Sequence, residues 1–470
     1  MRNRVLLVWL LVGPAHVFGQ KPNTKADLPT APMPQTVASF REASRFGPNQ
    51  ALQGGAPAQT GAATPGQKLS LKDAEELALR QNPQISVAHL LALASQQVTR
   101  EVRSSLWPTA NADITGVDAQ DNSRITAGGL NNPIIYERAA GGVSVSQLIT
   151  DFGRTTNLVA SAGLSQRAEE QNALATKEQI LLEVSQAFFG ALQTHAVLRV
   201  AEETVNARQV VADQVGALAK NKLKSELDLS FANVNLAQAK LLLLDAQNND
   251  KSALAGLSAV LGYSALQDWT LVEDTEAINA PPANIDALIT EALAKRPELL
   301  ALDYQYQAAQ KLRTAERDLL LPSIRALGAV GGAPIRNDHL PSWYGAVGAN
   351  MDIPIFNGFL YTARSHEADL RSQAARDRVL DLRNRISRDV RISWLNANAA
   401  YDRLTVTRQL LQQAQLALDL AQARYKLGLG SIVELSQAQL QATQAEVSNA
   451  QAGYDYRLAS AVLRYETSGL

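Results

Sequence analysis

The side chains that most often do chemistry are sparse and scattered along this chain of 470 residues. It has no cysteine, and its five histidines stand far apart. The sequence contains no HExxH, GxSxG or Walker pattern, and Gly428 and Gly430 lack the remaining spacing of a dinucleotide fingerprint. We therefore predict no catalytic centre, no cofactor and no metal site, and we expect a protein that is not an enzyme.

Polar residues that recur at a fixed separation are the remaining candidates for a functional site. Ser225 and Asp228 are matched, 206 residues later, by Ser431 and Glu434. A serine side chain can accept hydrogen bonds from the free N–H groups at the start of a helix. Each serine is therefore predicted to begin a helix that returns from a hairpin. Three lysines flank the first of these hairpins: Lys220, Lys222 and Lys224.

The N-terminal residues have the pattern of a secretory signal peptide. Arg2 and Arg4 precede an apolar run at residues 5–12, and the small residue Gly19 stands at the expected cleavage point before Gln20. We assign residues 1–19 to this signal. Residues 20–67 are rich in Pro, Ala, Gly, Thr and Gln, so they cannot bury enough apolar surface to offset their ordering entropy. We predict that they form a disordered lead.

Composition narrows the class of protein further. The formal net charge of −1, with 19% charged residues, argues against a nucleic-acid-binding protein, which needs a basic face. No stretch approaches the roughly 20 unbroken apolar residues that a membrane-spanning helix needs. Any insertion into a membrane must therefore use β-strands. Without cysteine, packing or assembly must stabilise an exported chain of this length.

Two copies of one unit account for the rest of the chain. Residues 79–83 (LRQNP) recur at 293–297 (LAKRP), and residues 106–108 (LWP) recur at 320–322 (LLP), both 214 positions later. We assign the first repeat to 68–280 and the second to 281–470, each with a helix, two strands and two long helices. The predicted strands cover 109–117, 141–148, 323–330 and 344–353, with turns at 119–136 and 331–341. The predicted long helices cover 157–220, 226–262, 360–427 and 431–466.

The long helices have the strongest sequence signal. No proline occurs between Pro133 and Pro281 or after Pro354. Small residues recur at heptad steps, which lets helices approach closely: Ala232, Ala239, Ala246 and Ala253, with counterparts at Ala438, Ala445, Ala452 and Ala459. The first rod would be about 95 Å long and must bury its surface against similar rods. A filament or a spectrin-like array would also need such rods, but it would not explain a strand pair in each repeat.

The predicted strands impose a condition on assembly. They are about 8 to 10 residues long, close to the roughly 9 to 11 of a tilted membrane-spanning strand. Four strands cannot close a barrel, and open strand edges are not tolerated in lipid. A trimer would close twelve strands, whereas the eight strands of a dimer would leave no conduit. The predicted fold class is therefore an α+β membrane protein: a trimeric twelve-stranded β-barrel continued by an α-helical coiled-coil barrel.

Several motifs, taken in order, resemble a known family. The double repeat, the LWP motif, the strand-to-helix turns at 151–154 (DFGR) and 353–358 (IPIFNG), and the run at 424–435 (RYKLGLGSIVEL) resemble the outer-membrane efflux proteins typified by TolC. The resemblance implies a homotrimer in the outer membrane of a Gram-negative bacterium, surrounded by lipid, with its helical tunnel in the periplasm. It also implies a periplasmic adaptor and an inner-membrane pump as partners, with drugs, ions or proteins passing outward.

The resemblance assigns adaptor docking and channel closure to the two hairpin tips. The family's aromatic, glycine, hydroxyl and acidic positions are all matched in the second hairpin, by Tyr425, Gly428, Ser431 and Glu434. The first hairpin keeps only Ser225 and Asp228. Its lysines would attract an acidic patch on the adaptor or form a solvated polar tip.

The resemblance also raises two questions about the closed tip. The type member of the family has an arginine at the position of Gly430, so the closed tip must be held differently here. Glu434 stands where the family has an acidic residue near the narrowest point. Threefold symmetry would turn it into a ring of carboxylates that makes the pore cation-selective. Alternatively, Glu434 pairs with a neighbouring basic side chain on the outer wall.

Two strand-to-helix turns are predicted to have a structural role. Asp151 and Asn357 can accept hydrogen bonds from free N–H groups of the following helix, and Gly153 and Gly358 loosen the turns. Two other classes of protein stay open. A periplasmic adaptor has one helical hairpin flanked by lipoyl-like β segments, and a structural coiled-coil protein lacks the strands.

Overall fold

The computed structural model describes residues 67–120, 136–273 and 278–467. The predicted signal peptide and residues 20–66 of the predicted lead lie outside these residues. Gln67, the last residue that we assigned to the lead, instead begins a short strand. Its backbone is ordered because it pairs with Trp269 in a two-stranded parallel sheet.

The elements follow one another as two similar halves. The helices are α1 Leu71–Gln81, α2 Pro83–Ser104, α3 Arg154–Lys220, α4 Glu226–Val260, α5 Ile285–Lys295, α6 Pro297–Arg317, α7 Leu360–Lys426 and α8 Ile432–Glu466. The strands are β1 Gln67–Leu69, β2 Thr109–Val117, β3 Arg138–Thr150, β4 Trp269–Leu271, β5 Ser323–Arg336 and β6 Trp343–Asp352. A single 3-10 turn at Asp318–Leu320 joins α6 to β5.

Each half contains one very long helix and one of about half its length. α3 and α7 both have 67 residues, and α4 and α8 both have 35. α3 begins three residues before the predicted position 157, and α4 ends two residues before 262. At about 1.5 Å per residue, α3 is about 100 Å long. Among the described residues, no helix combines the length and the hydropathy needed to cross a bilayer.

Shorter helices pack against both of the long ones. α4 packs along one part of α3, while α2 and α6 pack along another part. α7 has α8 on one part and α5 and α6 on another. Hydroxyl groups bond helix to helix across these contacts: Thr99 donates to the carbonyl of Ala162 at 3.2 Å, and Ser161 donates to that of Ala308 at 2.8 Å. The long rods are therefore stabilised by lateral packing, as their heptad pattern predicts.

The prediction of a single helix before each strand pair is wrong. Two helices stand there in each half, and the chain breaks at Asn82 and again at Arg296, each just before a proline at the first position of the next helix. Proline disfavours a helical conformation in the residue before it and lacks the N–H that a continuous helix needs. Both junction residues accordingly have extended backbone, with ψ near 120°.

The four longer strands form one antiparallel sheet in the order β2-β3-β5-β6. β3 and β5 extend beyond the predicted ranges, so the predicted turn at 331–341 is partly wrong: its first six residues belong to β5. They remain in the sheet because Gly331 and Gly332 pair with Tyr344 and Trp343 on one side and with β3 on the other. Within the described residues, β2 and β6 each pair on one side only, and both edges of the sheet are open.

Candidate functional site: the hairpin tips

Two five-residue turns connect the long helices to the returning ones. Residues 221–225, the first tip, join α3 to α4, and residues 427–431, the second tip, join α7 to α8. The two turns are 206 positions apart, the same separation as the serine and acid pairs found in the sequence. The structure therefore brings the predicted residues of each hairpin together at the turn between its two helices.

Both tips reverse the chain with the same backbone hydrogen bonds. In the first, the N–H of Leu223 donates to Leu218 O at 2.9 Å and that of Lys222 to Ala219 O at 2.9 Å. In the second, Leu429 and Gly428 make the equivalent bonds to Arg424 O and Tyr425 O, at 2.9 and 3.2 Å. This pattern requires a left-handed residue after the helix. Gly428 fills that position with φ 71°, and Lys222 fills it with φ 58°.

Serine caps the returning helix in both tips. Ser225 Oγ accepts from the N–H of Asp228, and Ser431 Oγ accepts from that of Glu434, each at 3.1 Å. In the first tip the Asp228 carboxylate also accepts from the backbone N–H of Ser225 at 3.2 Å, which completes a capping box. The Glu434 carboxylate makes a different contact.

Glu434 forms an ion pair across its own hairpin. Its Oε1 lies 3.0 Å from Nε of Arg424 in the last turn of α7. Arg424 also donates from Nη2 to the carbonyl of Leu429 at 3.2 Å, so its side chain bridges the turn. A side chain at Gly430 would meet Glu434 Oε2 at 3.1 Å and Arg424 Cβ at 3.2 Å. The bridge therefore lies against the position where the family's type member has an arginine.

Tyr425 connects the two tips of one chain. Its side chain is 7% exposed and packs in a core cluster that includes residues of all four tip helices, among them Val215, Leu236 and Leu435. The Nζ of Lys224 lies 4.0 Å from the centre of its ring, a cation–π contact. Burial, followed by the charge of Asp228, raises the pKa of Tyr425 above its ordinary value. Its buried hydroxyl has no hydrogen-bond partner among the described residues.

The two strand-to-helix turns have a similar hydrogen bond to the following helix, but glycine occupies a different position in each. Asp151 Oδ2 accepts from the N–H of Thr155 at 2.8 Å, and Asn357 Oδ1 accepts from that of Tyr361 at 3.5 Å, in both cases four residues on. Two successive residues in each turn have positive φ: Phe152 and Gly153 in the first, and Gly358 and Phe359 in the second. Glycine therefore takes the second of these positions in one turn and the first in the other.

Two partners at the tips were not identified from the sequence. The alternative in which Glu434 pairs with a neighbouring basic side chain did not name Arg424, although Arg424 lies ten residues away across a predicted turn, a spacing that could have indicated this ion pair. The contact of Lys224 with Tyr425 joins residues of different repeats and leaves no local signal. In the described ranges, no group of three or more His, Asp or Glu side chains is arranged to hold a metal ion.

Known proteins of one kind match this chain in sequence. The family model described as outer membrane efflux protein matches residues 75–263 and 288–465. BepC, an outer membrane efflux protein of Brucella suis, is 25% identical over 332 residues, which are 68% of this chain and 70% of BepC. The outer membrane protein TolC of Vibrio cholerae is 26% identical over 339 residues, which are 69% of this chain and 75% of that protein.

Solved structures match the fold. The outer membrane protein VceC from Vibrio cholerae covers 85% of this chain with a TM-score of 0.73 and 18% identity, and 96% of VceC is covered. The CmeC outer membrane channel of Campylobacter jejuni gives a TM-score of 0.74 with 17% identity and 85% of each chain covered. The resemblance noted in the sequence is confirmed, and the adaptor and structural coiled-coil alternatives are set aside. The chain belongs to the outer membrane efflux protein family.

Proposed function

We propose that this efflux protein acts as a homotrimeric exit duct. Three four-stranded sheets join edge to edge into a twelve-stranded barrel in the outer membrane, and the long helices continue the barrel as a tunnel in the periplasm. The observation that carries this proposal is the pair of open sheet edges, at β2 and β6. Every residue of β6, and all but the last of β2, is exposed in the single chain.

Lipid makes open edges unacceptable. Each unpaired backbone N–H or C=O group in the hydrocarbon region costs several kcal/mol, so spanning strands must close into a barrel. Ile114 in β2 and Val347 in β6 are 93% and 92% exposed, which suits a sheet that meets apolar surroundings. A threefold assembly pairs β2 of one copy with β6 of the next. It leaves an interior wide enough for a conduit.

The tips form the inner end of the tunnel in this proposal. They carry large apolar side chains that solvent would disfavour: Leu223 at 70%, Leu427 at 74% and Leu429 at 69% exposure. Exposed apolar surface of this kind is typical of an interaction site. These leucines, with Gly428 and Ser431 beside them, dock a periplasmic adaptor that joins the duct to an inner-membrane pump.

Site-specific photo-crosslinking in the native host tests the docking surface. A photoreactive residue at Leu429 is expected to capture an adaptor protein that mass spectrometry identifies. The same residue at Ile114, which is exposed on the sheet and not at a tip, is the control and is expected to capture no adaptor. Capture of an adaptor from Ile114 and none from Leu429 would contradict the proposal.

The gate of the duct involves the Arg424–Glu434 pair. In a trimer, three such pairs would stand around the inner end of the tunnel, where each arginine offsets one carboxylate. Removing either partner leaves three like charges unbalanced at a narrow point. The pair thus sets the charge selectivity of the pore, and it takes the place of the ring of free carboxylates considered from the sequence.

Two substitutions by uncharged glutamine distinguish the ion-pair account from a ring of free carboxylates. The reversal potential of each variant is measured in planar bilayers under a salt gradient. Arg424→Gln exposes the carboxylates and is expected to move the reversal potential toward that of a cation-selective pore. Glu434→Gln leaves the arginines unbalanced and is expected to move it in the opposite direction, toward that of an anion-selective pore. A reversal potential that neither variant changes would show that selectivity lies elsewhere, with Asp228 the next residue to test.

A further inference from the structure

A buried arginine without an ion-pair partner among the described residues lies in the wall between the two hairpins. Arg208 on α3 is only 8% exposed. Its Nη2 donates to the backbone carbonyl of Gln439 at 2.8 Å and to Oγ1 of Thr443 at 3.2 Å, both on α8. Within the described residues, no Asp or Glu oxygen comes within 4.0 Å of its guanidinium nitrogens.

The charge of Glu446 acts on Arg208 only from beyond ion-pair distance. Burial lowers the pKa of Arg208 to about 10, against the opposing effect of Glu446, so the guanidinium is still protonated at neutral pH. Burial raises the pKa of Glu446 and the charge of Glu203 adds to this rise, whereas the side chain of Gln415 and the charge of Arg208 lower that pKa. A buried charge without an ion-pair partner is unfavourable, and an anion beside it would offset that cost.

Beside Arg208 there is space for such an anion. A cavity of about 330 Å³ lies between α3 and α4 on one side and α8 on the other. Thr204 and Asn235 contribute polar groups to its wall, and Leu242 and Leu440 contribute apolar surface. Its volume is at the lower end of the range of about 300–1,000 Å³ found for small-molecule sites, which are mostly apolar with a few placed polar groups.

We propose that this cavity binds a small organic carboxylate, with the carboxylate on Arg208 and the apolar part against Leu242 and Leu440. The planar guanidinium matches a carboxylate in geometry as well as in charge. Among the described residues that line the cavity, Arg208 is the only basic one. The bound anion would contact both the first-repeat and the second-repeat hairpins of one chain.

Calorimetric titration of the detergent-extracted full-length protein with benzoate at constant ionic strength tests this site. Benzoate is expected to bind saturably at one site per chain. Benzyl alcohol, which has a similar ring and no charge, is expected to bind at least about tenfold more weakly. Arg208→Gln should weaken benzoate binding by a similar factor. Arg199→Gln, at an exposed arginine of the same helix, should leave it unchanged.

A second variant separates loss of the ligand from loss of the fold. Gln444 lies at the exposed rim of the cavity, so Gln444→Trp narrows the entrance while Arg208 keeps its bonds to α8. It is expected to weaken benzoate binding without changing the melting temperature. Equal benzoate affinity in the unmodified protein, Arg208→Gln and Gln444→Trp, equal affinity for the alcohol, or heats that do not saturate would each overturn the proposal.

Discussion

The two hairpin tips have the same backbone conformation but differ in the contacts that stabilise it. The first tip closes its capping box within α4 and places Lys222 in a left-handed conformation. The second has Gly428 in that conformation, and its acid reaches across the hairpin to Arg424. It also contributes Tyr425 to the shared core, where the equivalent position of the first repeat is Ala219. The two copies therefore share the turn, while the ion pair across the hairpin and the buried aromatic ring belong to the second copy.

The largest expected effect comes from Tyr425. Removing a buried aromatic side chain typically lowers folding stability by about 3–5 kcal/mol. Tyr425→Ala should therefore make local opening of both tips more frequent. Hydrogen exchange of the backbone amides in residues 205–240 and 415–445 measures this. Tyr425→Phe is the control and should be neutral or slightly stabilising, because the lost hydroxyl has no partner among the described residues. Unchanged exchange in Tyr425→Ala would mean that this ring does not join the tips.

Smaller changes in stability, of opposite sign in the two tips, are expected from substitutions at the residue with left-handed backbone conformation. Gly428→Ala should destabilise the second turn by about 1 kcal/mol, since the cost lies in φ alone and no atom stands within 4 Å of the added Cβ. Lys222→Gly should relieve a similar strain in the first turn and raise the free energy of unfolding by up to about 1 kcal/mol. The greater freedom of glycine in the unfolded chain reduces this gain. Urea titration of the two variants should shift the midpoint in opposite directions. Shifts of the same sign would remove this part of the comparison.

Much of the architecture is already predictable from the sequence, because it depends on periodic patterns. Long stretches without proline and heptad steps of small residues locate the four long helices to within three residues. The three-residue strands β1 and β4 are too short for any period to indicate. They exist because Leu69 and Trp269 meet in a buried core.

The tips show a different limit. Ser225 and Ser431 cap their helices as expected, because capping depends on neighbours three residues away. The partner of Glu434 depends on how the turn brings α7 beside α8, and the partner of Tyr425 lies 201 positions away in the other repeat. Contacts of this kind follow from tertiary packing, which a single sequence does not reveal.

The central claim is that open sheet edges are closed by three copies of the chain. Native mass measurement of the detergent-extracted protein tests it most directly, because each chain has a mass of 50.6 kDa before any processing. The account predicts a single species containing three chains, with the β-strand signal retained in circular dichroism. A stable monomer that keeps the same strand signal would contradict it, because its four strands would then exist with both edges unpaired.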